Sequence, residues 1–284
     1  MAEPLPWCHL NGERLPLTEA RISPFDRSFL FGDGIYEVLR VYGGRLFRPE
    51  AHLHRLDRSA AAIRLTNPHT HAQWTTLLQE LVEANGGGDQ YIYLQVSRGA
   101  EWGRNHAPLP DIPPTVFAYC SPWPQVADST LRDGLACITA EDTRWARCDI
   151  KSVALLANVL LRQLAVDANA AETILLRDGE LMEGSASTVH IVQHGVLITP
   201  RNSTRILPGT TRGVVEELAD ALGIPRRDAP VSEAELRAAD EIWLAAATRE
   251  VQPVTKLDGK LVGTGRPGPL WRRVYDAYQQ LKRR

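Results

Sequence analysis

The sequence predicts a mixed α+β (mixed α/β) fold in two domains, on two observations. Strand-like runs bounded by glycine turns are interleaved with apolar helical patterns, but without the βαβα alternation of a doubly wound sheet. A composition break at Cys120-Ser121-Pro122-Trp123-Pro124 then divides the chain into a small N-terminal α/β domain, residues 1–120, and a larger C-terminal domain, residues 121–284, which carries Lys151. With 44% hydrophobic and 23% charged residues there is ample apolar material for a core, which excludes disorder for most of the chain.

The elements follow in order. Asn11-Gly12 and Gly43-Gly44 are hairpin signals between apolar runs, so residues 1–47 read as strands and turns. Pro49 opens a helix whose Leu53, Leu56, Ala60 and Ile63 share one face. A second helix follows His69-Thr70-His71, runs through Trp74, Leu77, Leu78 and Leu81, and stops at Gly86-Gly87-Gly88. Tyr91 to Val96 is a strand. Residues 103–114 hold four prolines and little periodicity and form a loop. Beyond the break come a strand at 135–139, a helix over about 152–168, and two hairpins turning at Asp178-Gly179 and His194-Gly195. A helix over about 211–222, a strand at 242–246 and a short C-terminal helix complete the chain.

Composition also bounds function. The net charge is -2 and the pI near 6.5, so nucleic-acid binding driven by bulk charge is excluded. No basic-then-apolar leader stands at the N-terminus, and no run approaches the roughly 18 apolar residues of a membrane span. The four cysteines form no CxxC pair, which predicts reduced thiols and a cytoplasmic protein. Of 32 basic residues only four are lysine, and three of these lie in the polar final stretch. The fourth is Lys151.

Lys151 stands between a strand-like run and an apolar helix, where a partly desolvated amine becomes a nucleophile. The alternative is a lysine snorkelling at a helix N-terminus, a place that disfavours a cation. Glu183 precedes the small run Gly184-Ser185-Ala186-Ser187-Thr188 and can pair with a protonated ring nitrogen; the alternative is a solvated hairpin exit. Gly209-Thr210-Thr211 at a helix start offers hydroxyl and backbone donors to a phosphate, or simple capping. Arg104 and His106 can fork onto a carboxylate, or belong to a solvated loop. The pairs His52/His54 and His69/His71 lack a third ligand, so no metal site is expected. A Walker loop is excluded because no lysine follows the glycine, and no GxGxxG links a strand to a helix.

Taken in order, Phe31-Gly32-Asp33-Gly34-Ile35-Tyr36-Glu37-Val38, His54-Arg55-Leu56, Asp149-Ile150-Lys151-Ser152, Glu183-Gly184-Ser185 and Leu207-Pro208-Gly209-Thr210-Thr211-Arg212 are similar to the class IV aminotransferases, the fold-type IV pyridoxal-phosphate enzymes. The resemblance runs from about Asn11 to Leu261 and implies a β-barrel-like larger domain with helices. Within the family, Asp26-Arg27 to Tyr42, Asp142-Thr143-Arg144-Trp145 to Ser152 and above all Arg104-Asn105-His106 most resemble the D-amino-acid transaminases. The resemblance implies that Lys151 holds pyridoxal 5'-phosphate covalently, that Glu183 faces its ring nitrogen, and that Arg55, Thr210 and Thr211 hold its phosphate. It implies that Tyr36, Arg104 and His106 bind the substrate carboxylate. It further implies transamination between a D-amino acid, typically D-alanine, and a 2-oxo acid such as 2-oxoglutarate, in a homodimer with active sites near the interface. Branched-chain and (R)-amine transaminases and aminodeoxychorismate lyases of the same family are the alternatives, and the Arg104–His106 pair argues against them. Thr188 and Thr210 depart from the family's usual asparagine and aliphatic residue.

Overall fold

A computed structural model of the chain describes residues 3–123 and 125–283. The chain divides into two compact units, Met1–Pro124 with Ile150–Leu155 and Gln125–Asp149 with Leu156–Arg284.

The first unit contains β1 (Trp7–Leu10), β2 (Glu13–Pro16), α1 (Arg27–Phe31), β3 (Gly34–Tyr42), β4 (Arg45–Leu46), α2 (Pro49–Ala62), α3 (His71–Ala84), β5 (Gln90–Ser97) and β6 (Thr115–Pro122). Its six strands form one antiparallel sheet in the order β2-β1-β6-β5-β3-β4. The β1–β2 and β3–β4 turns fall at Asn11-Gly12 and Gly43-Gly44, all four residues at positive φ. Thr70 and Gln73 close a capping box at the start of α3. Leu53 and Leu56 of α2 and Trp74 and Leu78 of α3 pack in one core with Leu39 and Ile92 of the sheet. Each such fully buried aliphatic side chain contributes roughly 1.5–3 kcal/mol.

Helix α1 lies within the stretch whose sequence reads as strands and turns. Five residues are too few for a 3.6-residue period to show. Local caps define it instead: Asp26 accepts from the Ser28 amide at 2.8 Å, and Gly32 ends it at φ 67°.

The second unit contains α4 (Asp128–Asp133), β7 (Leu135–Glu141), α5 (Leu156–Asp167), β8 (Glu172–Arg177), β9 (Glu180–Gly184), β10 (Thr188–Gln193), β11 (Val196–Thr199), α6 (Thr210–Ala221), β12 (Arg226–Asp228), α7 (Glu233–Arg237), β13 (Glu241–Ala246), β14 (Glu250–Leu257), β15 (Lys260–Leu261) and α8 (Pro269–Leu281). Its sheet runs β12-β11-β10-β13-β14-β7-β8-β9 with β15 beside β14, and it curls into a half-barrel. Strand β14 carries Pro253, a residue that normally demotes a strand to an edge. It is tolerated because pairing with β7 begins only at Val254, which leaves that side of the strand open at Pro253.

The composition break assigns Lys151 to the larger domain, whereas residues 150–155 pack with the first unit. Backbone pairing is the reason: the Tyr36 amide donates to the Lys151 carbonyl and the Val153 amide to the Gly34 carbonyl, both at 3.0 Å. Helix α5 accordingly starts at Leu156, later than the predicted 152. Among the described residues no helix is long and apolar enough to cross a membrane.

Candidate active site

In the first unit, β3 and the segment carrying Lys151 lie side by side. Gly32 permits the approach, since a Cβ there would meet Ala154 Cβ at 3.0 Å. The Lys151 amide donates to Ser59 Oγ at 3.2 Å, which ties the segment to α2 as well. With its backbone held at both ends, Lys151 places Nζ 4.0 Å from the centroid of the Tyr36 ring. Tyr36 stacks on Tyr93, centroids 5.6 Å apart, and the Tyr93 hydroxyl donates to Gln95 Oε1 at 2.8 Å. The structure thus brings Lys151 and Tyr36 together.

Arg55 projects from α2 onto Glu37 of β3. Nε and Nη2 donate to the two carboxylate oxygens, each at 2.7 Å, and His52 Nδ1 lies 2.7 Å from Oε2. Glu37 is fully buried; burial pushes its carboxyl up, but Arg55 and His52 outweigh it and hold the group well below the usual carboxylate range. Burial lowers the His52 pKa against the opposing pull of Glu37. Glu37 and His52 orient Arg55, a role the sequence did not assign: Glu37 stood there only within a motif and His52 only as a rejected metal ligand. They stand 18 and three residues from it, and only the packing of α2 on β3 joins the trio.

Arg104 and His106 lie exposed in the loop before β6, and α1 is their platform. The Arg104 guanidinium stands 5.1 Å from the Phe31 ring and the His106 ring 5.5 Å from it. Beneath them is Arg27, 2% exposed. It donates to the carbonyls of Asn105 at 2.7 Å and His106 at 2.9 Å, and to Asp33 Oδ2 at 2.8 Å, and it pairs with Glu101. The backbone of the Arg104–His106 loop is therefore fixed by a buried planar fork. The sequence offers Arg27 only at the start of the stretch Asp26-Arg27 to Tyr42 and assigns it no role.

In the second unit, Glu183 ends β9 and is buried. It accepts from the Leu207 amide at 3.1 Å and pairs with Arg144, which is itself clamped on Asp142 at 2.8 and 2.9 Å. Burial raises the Glu183 pKa, more than Arg144 lowers it. The Leu207 contact ties Glu183 to the turn that opens α6. There Thr210 and Thr211 are the first helical residues, and Gly209 caps the helix with no side-chain bond. First-turn amides without such a cap are available to an anion. Arg212 anchors the turn from below through Asp228 at 2.6 Å, the Pro200 carbonyl at 2.7 Å and Asn202 at 3.1 Å. Thr188, at the departure from the family's asparagine, lies close to Gly209, where a Cβ would meet its hydroxyl.

The first unit offers an amine at Lys151, and the second a buried carboxylate and an uncapped glycine-threonine helix start, residue types that suit a phosphorylated aldehyde cofactor with a ring nitrogen. The curled half-barrel and the separate antiparallel sheet are those of a fold-type IV aminotransferase. The class IV amino-transferase family model matches residues 34–257, and the chain belongs to that family of pyridoxal-phosphate enzymes. It is 41% identical to a D-alanine aminotransferase of Bacillus licheniformis over 269 residues, 95% of this chain and 94% of that one. A D-alanine aminotransferase of Staphylococcus aureus is 39% identical over 272 residues, 95% and 96% of the two chains. Among solved structures, the branched-chain amino acid aminotransferase of Escherichia coli superposes with a TM-score of 0.92 at 26% identity, covering 98% and 94% of the chains. The PLP form of that enzyme from Thermobaculum terrenum gives 0.88 at 26%, covering 99% and 94%.

Proposed function

We propose that this aminotransferase moves an amino group from a D-amino acid, typically D-alanine, to 2-oxoglutarate or a similar 2-oxo acid by a ping-pong mechanism. The observation that carries the reading is the Arg104–His106 loop, held over Phe31 by Arg27. Two cationic or donor side chains so presented suit an α-carboxylate and have no use on a plain amine. Nearly full-length similarity to D-alanine aminotransferases supports it.

When bound, the cofactor supplies an electron sink for the bond broken at the substrate Cα. Lys151 would hold it, and the lysine amine would serve as the base that takes the proton from the substrate Cα. Glu183 would face the ring nitrogen, where its carboxylate would favour the protonated form. Arg55, Thr210 and Thr211 hold the phosphate. Tyr36, Arg104 and His106 orient the substrate carboxylate.

The homodimer belongs to the same proposal. Helix α5 leaves Leu156, Val159, Leu160 and Leu164 exposed at 72, 60, 61 and 44%, a helical stripe that a second copy would cover. The trap loop would then serve the neighbour's cofactor. The four free, buried cysteines agree with a cytoplasmic protein.

Arg104→Ala should raise KM for D-alanine by about one to two orders of magnitude, because a charge-assisted contact contributes roughly 1.5–3 kcal/mol and about 1.4 kcal/mol is tenfold. Unchanged KM, checked by steady-state kinetics, defeats the trap. Mixing Arg104→Ala protomers, impaired at low D-alanine, with inactive Lys151→Ala protomers should restore activity at low D-alanine if the loop acts across the interface. Failure to restore it, with exchange verified by mass spectrometry, places the trap in the same chain as its lysine. A half-reaction panel of D-alanine, L-leucine and (R)-1-phenylethylamine tests the substrate class. Faster conversion of L-leucine would favour the branched-chain activity of the structural neighbours.

Arg27→Lys keeps the buried charge beside Asp33 and Glu101 but loses the fork to two carbonyls. It should raise KM for D-alanine by roughly tenfold, the equivalent of about 1.4 kcal/mol. The rate at saturating substrate should change little. A fall in kcat with constant KM contradicts this positioning role.

A further inference from the structure

The two histidine triplets at 52–54 and 69–71 contribute only His52 to the site above. Within each triplet the side chains lack a third ligand, but the structure joins members of different triplets. His54 and Asp57 stand three residues apart on α2 and so share a face. His71 is the first residue of α3. His71 Nε2 lies 2.6 Å from Asp57 Oδ2. The His54 and His71 rings meet edge to face, centroids 4.7 Å apart. One ligand atom from each of His54, Asp57 and His71 lies within 4.8 Å of the others.

The surroundings prepare this arrangement. Asn67 Nδ2 donates to Asp57 Oδ1 at 2.6 Å, which leaves Oδ2 turned to the imidazole. Asn67 is in turn oriented by the Trp74 indole, which donates to its Oδ1 at 2.8 Å. An outer hydrogen bond of this kind commonly orients a metal-binding carboxylate. The side chains of Asp57 and His71 are 43 and 32% exposed, so an ion enters directly from solvent.

We propose that His54, Asp57 and His71 bind a divalent transition ion of the zinc class, with water completing its shell. Two imidazole nitrogens and one carboxylate oxygen form a borderline donor set, which disfavours calcium and magnesium. Zinc bonds of about 2.0–2.2 Å put tetrahedral ligands roughly 3.3 Å apart. His71 Nε2 and Asp57 Oδ2 are 2.6 Å apart and all three ligand atoms lie within 4.8 Å, so side-chain rotation would bring them to that separation, and the His71–Asp57 hydrogen bond gives way to two metal bonds. The ion would staple α2 to α3. That is a structural role, separate from the residues assigned to cofactor and substrate.

Zinc titration into the chelator-treated holoenzyme, followed by calorimetry, tests the site. One ion per chain is expected. His54→Ala, Asp57→Asn and His71→Ala should each weaken binding by about tenfold or more, and Asn67→Ala by less. The double substitution His54→Ala/His71→Ala should abolish the site while transamination in the absence of zinc stays at the wild-type rate. Zinc should raise the melting temperature of the wild type but not of the double variant. Bound copper(II) should show electron paramagnetic resonance couplings to two imidazole nitrogens. The proposal is overturned if the wild type binds no zinc below the millimolar range, or if the double variant binds the same number of ions equally tightly.

Discussion

Lys151→Ala should abolish transamination and the absorbance of covalently held cofactor, and leave the fold intact. Of the four lysines, Lys256 and Lys260 are exposed and Lys282 Nζ lies 2.8 Å from Glu250. Lys151 alone lies against β3 with its amine 4.0 Å from the Tyr36 ring. Its backbone contacts to Tyr36 and Ser59 use the main chain, so they survive removal of the amine. The substitution removes both the tether and the base at Cα, and the base alone is typically worth 10²–10⁴-fold. Borohydride treatment and peptide mass spectrometry check the assignment. Cofactor fixed to another lysine in the variant, or residual turnover near the wild-type rate, refutes it.

Glu183→Gln should slow the half-reaction with D-alanine by about 10²-fold or more, the scale for losing an electrostatic or acid–base contributor. The amide keeps the shape but no longer favours a protonated ring nitrogen. Arg144 remains clamped on Asp142 by two bonds, so the change does not strand a buried cation. Cofactor retention should change little, since Arg55 and the Gly209-Thr210-Thr211 turn lie outside the substitution. Stopped-flow measurement of a single turnover separates the two effects. A wild-type rate would remove Glu183 from the chemistry, whereas loss of cofactor at an unchanged rate would make it a binding residue only.

The candidate site was legible in sequence where chemistry is carried by unusual residues in short motifs. Lys151 stands out in an arginine-rich chain, and Gly209-Thr210-Thr211 and Arg104-Asn105-His106 are local patterns. The supporting roles were not legible, even where the residues lay in quoted motifs. Glu37, His52, Arg27 and Arg144 are ordinary charged residues, and a solvated surface is the usual place for them. Their partners lie up to 79 residues away in the chain, as with Arg27 and the His106 carbonyl. The same holds for His54, Asp57 and His71, which cluster only because α3 packs back on α2. In the fold, α1 was too short for periodicity, and Pro253 concealed a strand that the sheet accommodates at a locally unpaired side.

The sequence by itself determined the α+β class, the glycine turns, the helices α2, α3 and α6, and the family to which the chain belongs. These follow from signals that act over a few residues: period, capping, positive φ and motif spacing. Only the tertiary structure decided that residues 150–155 pack with the first unit, that Glu37 and His52 set the Arg55 guanidinium, and that Arg27 fixes the Arg104–His106 loop. The physical reason is common to all three. A buried charge or an unpaired backbone group must find a partner wherever the fold brings one, and chain distance does not enter that requirement.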